Sequence, residues 1–176
     1  MWIFGYGSLM FDGWESERRC LERTSADLAG YRRVFNKRSV ENWGTKERPG
    51  LTLNLTESTN SVCRGIAFAF ADDSGSQDIL KQLTKREACQ PRSLAIRLQD
   101  GRDVSAFVYI YDGKNILDST PPLAEKANMV VRAKGKSGAC VDYVRRTFEG
   151  LSSTGLDDSE VTGFWEAVKN HTSRTN

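Results

Sequence analysis

The chain opens on an unbroken apolar run, MWIF, that passes directly into Gly5-Tyr6-Gly7-Ser8. Such a run predicts a buried strand over residues 1–6, followed by a turn in which glycines bring the main chain close to a neighbour without a Cβ in the way. A polar and aromatic stretch, FDGWESERRC, comes next. ADLAGYRRVFNKRS mixes β-formers with basic residues and reads as strand and turn, and WGTKERP, residues 43–49, reads as a loop. LTLNLT alternates apolar and polar positions, the period of a half-buried strand. SVCRGIAFAF predicts a further strand, in which Gly65 marks a bulge or a close backbone approach.

The period then changes. A Ser/Gly/Asp turn leads into Ile79, Leu80 and Leu83 at helical spacing, so DDSGSQDILKQLTKREA predicts a short helix. SLAIRL and VSAFVYIY alternate on either side of Asp100-Gly101, the signature of a hairpin. Beyond Pro121-Pro122, residues 123–170 carry helical periodicity with breaks near Gly135–Gly138 and Gly150–Gly155. At the first break Ser137 is expected to cap the following helix. Asp157 with Glu160 forms a capping-box pattern for a last helix carrying Val161, Phe164, Trp165 and Val168. Strands fill the first two-thirds and helices the last third. The expectation is an α+β fold with an antiparallel or mixed sheet that curls into a small barrel, in one domain over 1–176, with 171–176 a polar, flexible tail.

Composition narrows the function by exclusion. With 39% hydrophobic and 27% charged residues, the chain has the make-up of a soluble globular protein. A net charge of +2 gives no footprint for nucleic acid or an anionic membrane. No apolar stretch approaches the roughly 20 residues of a membrane span, and the N-terminus lacks the layout of a signal peptide. The expected location is the cytoplasm. Cys20, Cys63, Cys89 and Cys140 are too widely spaced for a zinc site or a redox pair, and read as structural thiols in a reducing compartment.

The single histidine, His171, narrows the chemistry further. It removes Ser-His-Asp and Cys-His arrangements and histidine-rich metal sites, leaving acid–base work to a carboxylate, a lysine or a tyrosine. Gly5-Tyr6-Gly7-Ser8 fails as a dinucleotide fingerprint because Met10 stands where a third glycine is needed. Gly135-Lys136-Ser137 fails as a phosphate loop because Val130 stands where its first glycine belongs. No cofactor and no metal are expected.

Alone, Lys85-Arg86-Glu87 at a helix end reads as a solvated charge cluster, and Tyr143 as a core or boundary aromatic. Together with their surroundings they read differently. WIFGYGSLM, then GYRRVF, RPGLTLNL, RGIAFAF, a helix ending in Arg-Glu and finally SGACVDYV follow one another as in the ChaC-type γ-glutamylcyclotransferases, which this chain resembles over nearly its whole length. The resemblance implies a small β-barrel flanked by helices, and release of 5-oxoproline from a γ-glutamyl compound, typically glutathione in this branch. It implies Glu87 as the acid–base residue, and Ile3, Phe4, Gly5, Tyr6, Gly7, Ser8 and Leu9 as the substrate-binding segment. It also implies that Tyr143 lines the pocket. ChaC-type chains usually follow the Arg-Glu with a glycine pair and a tyrosine, whereas Glu87 is followed here by ACQPR. That difference leaves the leaving group open among Cys-Gly, an amino acid and an amine. A non-catalytic γ-glutamyl-binding module is the alternative from another class. The partner expected is a small molecule, in a monomer or homodimer.

The reaction suits the residue inventory. In a γ-glutamyl amide the α-amino group attacks the substrate's own γ-carbonyl and closes a lactam. Neither an enzyme nucleophile nor a metal is required. The enzyme must fold the substrate into a near-attack shape, move protons and stabilise an oxyanion. A turn such as Tyr6-Gly7-Ser8 can converge its N–H groups on the α-carboxylate.

Overall fold

A computed structural model describes residues 1–173. The chain forms two compact units, one from Met1–Arg32 and Leu55–Asp112, the other from Arg33–Asn54 and the chain from Gly113 on.

Five strands close into a barrel: β1 (Trp2–Gly5), β2 (Glu22–Ser39), β3 (Gly50–Ala69), β4 (Arg92–Leu98) and β5 (Asp103–Val108), in the order β1-β3-β2-β4-β5. The opening apolar run becomes β1 because it has a partner on both edges. It pairs antiparallel with β3, Ile3 opposite Phe68, and parallel with β5, Ile3 opposite Phe107. β4 and β5 are the expected hairpin, running from Arg92 opposite Val108 to Arg97 opposite Asp103. Gly101, at φ +90°, supplies the left-handed residue of its turn.

The expected strands LTLNLT and SVCRGIAFAF are one continuous element, β3. Between them Glu57, Thr59 and Asn60 are exposed. The apolar pattern lapses there while the backbone stays extended, because periodicity reports burial rather than pairing. Gly65 marks a close approach: a Cβ there would lie 2.6 Å from Cζ of Phe4 and collide with the carbonyl of Gly5. Phe4, Leu28, Leu55, Ile96, Leu98 and Val108 fill the barrel core.

The helix of the first unit, α1 (Ser74–Glu87), starts at Asp73, whose Oδ1 accepts from the Ser76 N–H at 3.1 Å. It stops at Ala88, which turns left-handed at φ +58° and returns its N–H to the Thr84 carbonyl at 3.0 Å. Glu87 is therefore the last helical residue.

The second unit carries α2 (Leu123–Arg132), α3 (Cys140–Ser153) and α4 (Ser159–Ser173). The break at Gly135–Gly138 is more ordered than a plain interruption. β6 (Lys134–Gly135) and β7 (Gly138–Ala139) form a short antiparallel ladder. Ser137 does not cap α3. The capping position is Ala139, without a side-chain bond, and the Lys136 and Ser137 N–H groups go instead to the carbonyls of Glu41 and Asn42. The cap of α4 also lies one residue later than its sequence pattern suggests: Oδ1 of Asp158, not Asp157, accepts from the Val161 N–H at 3.1 Å. Asp158 is drawn into that position by a second duty. Its Oδ2 pairs at 2.9 Å with Arg33, whose side chain is only 1% exposed. A buried guanidinium without a carboxylate would be strongly unfavourable.

His171, Thr172 and Ser173 close α4, and the rest of the expected tail, 174–176, lies outside the described residues. All four cysteines are free thiols. Cys63 and Cys140 are buried, while Cys20 and Cys89 are half-buried. Burial pushes the Cys140 thiol up to about 12. Among the described residues no helix is long and apolar enough to cross a membrane, and no group of three or more His, Cys, Asp or Glu is placed to hold a metal.

Candidate active site

In the first unit the chain leaves β1 at Gly5 and turns through Tyr6 and Gly7 into a single 3-10 turn, Ser8–Met10. The turn is closed by Met10 N–H to the Gly7 carbonyl at 2.9 Å, and by the Phe11 and Asp12 N–H groups, both 3.1 Å from the Ser8 carbonyl. Leu9 and Met10 anchor it in the core, and the indole N–H of buried Trp14 donates to the Leu9 carbonyl at 2.9 Å. Ile3 and Phe4 are fully buried. Their main chain is paired on both edges, with β3 and with β5. Gly5 has a packing reason to be glycine, since a Cβ would stand 3.1 Å from Leu9 Cβ and 3.3 Å from the Phe68 ring. Gly7 lies at φ −134°.

The C-terminal end of α1 meets this turn. Nη2 of Arg86 donates to Ser8 Oγ at 3.0 Å and is also paired with Oδ2 of Asp12. Nε of the same guanidinium stands 3.2 Å from Oε1 of Glu87, whose side chain is 24% exposed. One cation thus joins the turn to the carboxylate. A second link runs through Tyr6, whose hydroxyl donates to the Tyr109 carbonyl at 2.7 Å. The Tyr109 hydroxyl in turn donates to the Leu80 carbonyl of α1 at 3.1 Å and lies 3.4 Å from Thr84 Oγ1. Tyr109 is buried, and burial is the main reason its phenol is raised above the ordinary tyrosine value. The Thr84 contact opposes that shift, and negative charge on Glu87 and Cys89 adds to it. Ser8, Asp12, Arg86, Glu87 and Tyr109 form one polar cluster around a partly exposed carboxylate, an arrangement able to take up and return a proton.

Neither Asp12 nor Tyr109 belongs to a motif of the sequence. Asp12 sits in an ordinary Asp-Gly turn and carries no pattern. Tyr109 lies in VSAFVYIY, whose alternation reads only as a strand, whereas in the structure Val108, Tyr109 and Ile110 are three consecutive buried residues. Tyr143 belongs to the second unit, on α3. Its hydroxyl accepts from the Leu53 N–H at 3.0 Å and its ring lies 5.4 Å from that of Trp43.

The closed five-stranded barrel with its flanking helices has the fold of the γ-glutamylcyclotransferases. A solved γ-glutamylcyclotransferase from yeast, specific to glutathione, superposes with a TM-score of 0.83 at 18% identity, covering 97% of this chain and 96% of that one. Residues 1–171 match the ChaC-like protein family, and the chain belongs to it. Gamma-glutamylcyclotransferase 2-3 of Arabidopsis thaliana is 31% identical, over 96% of this chain and 88% of its own length. The glutathione-specific gamma-glutamylcyclotransferase of Escherichia coli K12 is 30% identical, over 96% of this chain and 73% of its own.

Proposed function

We infer that the chain is a γ-glutamylcyclotransferase that cleaves glutathione to 5-oxoproline and Cys-Gly. The observation that carries the reading is the placement of Glu87: the carboxylate expected from the family motif stands at the end of α1, joined through Arg86 to Ser8 of the Gly-Tyr-Gly-Ser turn. Family membership and the names of the relatives support both the activity and glutathione as its substrate.

The chemistry then runs as follows. The N–H groups of the turn between Tyr6 and Leu9 receive the glutamyl α-carboxylate, and the glycines let the main chain close on it. Glu87 accepts a proton from the α-ammonium group. The freed amine nitrogen attacks the γ-carbonyl carbon of the same molecule, a lactam C–N bond forms, and negative charge develops on the carbonyl oxygen. The protonated Glu87 returns its proton to the departing amide nitrogen, the oxyanion collapses and the original C–N bond breaks; the ring nitrogen gives up its extra proton to the freed Glu87 carboxylate, which passes it to the departing amine, and 5-oxoproline and Cys-Gly separate. Because nucleophile and electrophile share one molecule, the contribution of the site is conformational restraint and proton transfer. For Tyr143 as a pocket residue the support is the family motif alone. A cytoplasmic setting agrees with the free thiols.

The test is incubation of the purified protein with glutathione, γ-glutamyl amino acids and γ-glutamyl amines, read by mass spectrometry. Release of 5-oxoproline and Cys-Gly from glutathione is expected. Release only from the other substrates would move the specificity, as the ACQPR segment after Glu87 could allow. Tight binding of γ-glutamyl compounds without 5-oxoproline would make the protein a binding module.

A further inference from the structure

We propose that Asp12 and Arg86 are positioning residues for Glu87: they form a shared-counter-ion clamp in which Asp12 holds the Arg86 guanidinium against the substrate-binding turn and so limits how much of its charge reaches the acid–base carboxylate. The inference rests on the cyclotransferase reading above and extends it to two residues acting through a third.

The geometry is that of one cation between two carboxylates. Nη2 of Arg86 is committed to Asp12 and to Ser8 Oγ, and Nε faces Oε1 of Glu87 at 3.2 Å. A guanidinium can serve all three because its donors are fixed in a planar fork. Arg86 and Glu87 are neighbours on the last turn of α1, whereas Asp12 reaches them from the turn beyond the Ser8–Met10 segment. The clamp therefore closes only when that turn and the helix end are both in place. Two consequences follow. Oε1 of Glu87 is oriented by Arg86. The charge on Glu87 is also balanced between a nearby cation, which favours the ionised form, and the Asp12 carboxylate, which opposes it. Other titratable groups facing this point are Cys89, on the connection after α1, and the buried phenol of Tyr109, following β5. Both are linked electrostatically to this corner of the site.

The experiment is the pH dependence of kcat and kcat/KM for 5-oxoproline release from glutathione by the full chain and by Asp12→Asn, Arg86→Gln and Arg86→Lys, each checked for folding by circular dichroism. The two charge-removing variants move the acidic limb of the profile in opposite directions. Asp12→Asn shifts it to lower pH and Arg86→Gln to higher pH, each by about one unit. Arg86→Lys keeps the charge and loses the fork, so its limb stays near the parent position while KM rises. A residue acting only through stability would not give shifts of opposite sign. If the parent enzyme turns over and both limbs stay in place, or both move the same way, the clamp is overturned and the activity stands. If the parent releases no 5-oxoproline from any γ-glutamyl compound, the functional reading falls and the clamp with it. Should Arg86→Gln not fold, Asp12→Asn decides alone, since an unmoved limb there overturns the proposal.

Discussion

The Tyr6 hydroxyl donates to the main-chain carbonyl of Tyr109 at 2.7 Å, tying the segment after β1 to the segment after β5. The same tyrosine whose carbonyl is held there places its own hydroxyl against Leu80 and Thr84 of α1. Tyr6→Phe removes the donor and leaves a part-buried carbonyl short of a partner. The expected stability loss is about 1–3 kcal/mol, with kcat/KM for glutathione lowered on the order of tenfold as the turn loosens. Urea unfolding and steady-state kinetics measure the two effects separately, and an unchanged kcat/KM would remove Tyr6 from the positioning of the turn.

Glu87→Gln preserves size and polarity and removes the proton acceptor proposed for the reaction. Turnover is expected to fall on the order of a hundredfold or more, while binding of a γ-glutamyl ligand, read by calorimetry, stays close to that of the parent. Parent activity is also expected to persist after exhaustive chelation, because the ring closure draws on proton transfer and restraint alone. Near-normal turnover by Glu87→Gln would end the assignment.

Asp158 supports two structures at once, the N-terminus of α4 and the charge of buried Arg33. Asp158→Ala is expected to cost about 3–5 kcal/mol, because it removes the carboxylate from a buried ion pair. Asp157→Ala, at the neighbouring exposed position, should stay within about 0.5 kcal/mol of the parent. Equal losses in the two variants, measured by denaturant unfolding, would contradict the assignment of the cap.

The Cys140 thiol donates to the Leu51 carbonyl at 3.4 Å inside the second unit, and burial pushes it up to about 12 from an ordinary value of 9.0. A thiol raised in the folded state supports folding fully below its unfolded value. It loses that contribution as the pH climbs toward the folded value, because only the unfolded chain can then release the proton. Between pH 9 and 10 the parent should therefore lose about 1 kcal/mol more stability than Cys140→Ala. Parallel pH–stability curves for the two proteins would argue against it.

Much of this architecture was legible in the sequence because local pattern and tertiary environment agree. The apolar run before Gly5, the Asp100-Gly101 hairpin and the helix ending at Glu87 all formed where periodicity and turn chemistry put them. The exceptions have physical causes. β3 continues through exposed Glu57 and Asn60 because its backbone is paired where its side chains are not buried. Ser137 lost its capping role because β7, Gly138–Ala139, intervenes and α3 begins only at Cys140. The cap of α4 moved to Asp158 because Arg33, 125 residues away, requires that carboxylate. At the candidate site, Glu87 and the Gly-Tyr-Gly-Ser turn were readable as motifs. Asp12 and Tyr109 were not, because their part in the cluster comes from long-range contacts that no local pattern encodes.

The unequal burial of the thiols makes the molecule a ready substrate for site-selective labelling. A maleimide dye applied to the native protein should find Cys20 and Cys89 and pass over Cys63 and Cys140, which are 1% and 0% exposed. With Cys20 replaced by serine, the dye would report from Cys89 alone, two positions beyond Glu87 in the chain. Its fluorescence could then follow the arrival and departure of substrate in real time without disturbing the barrel core.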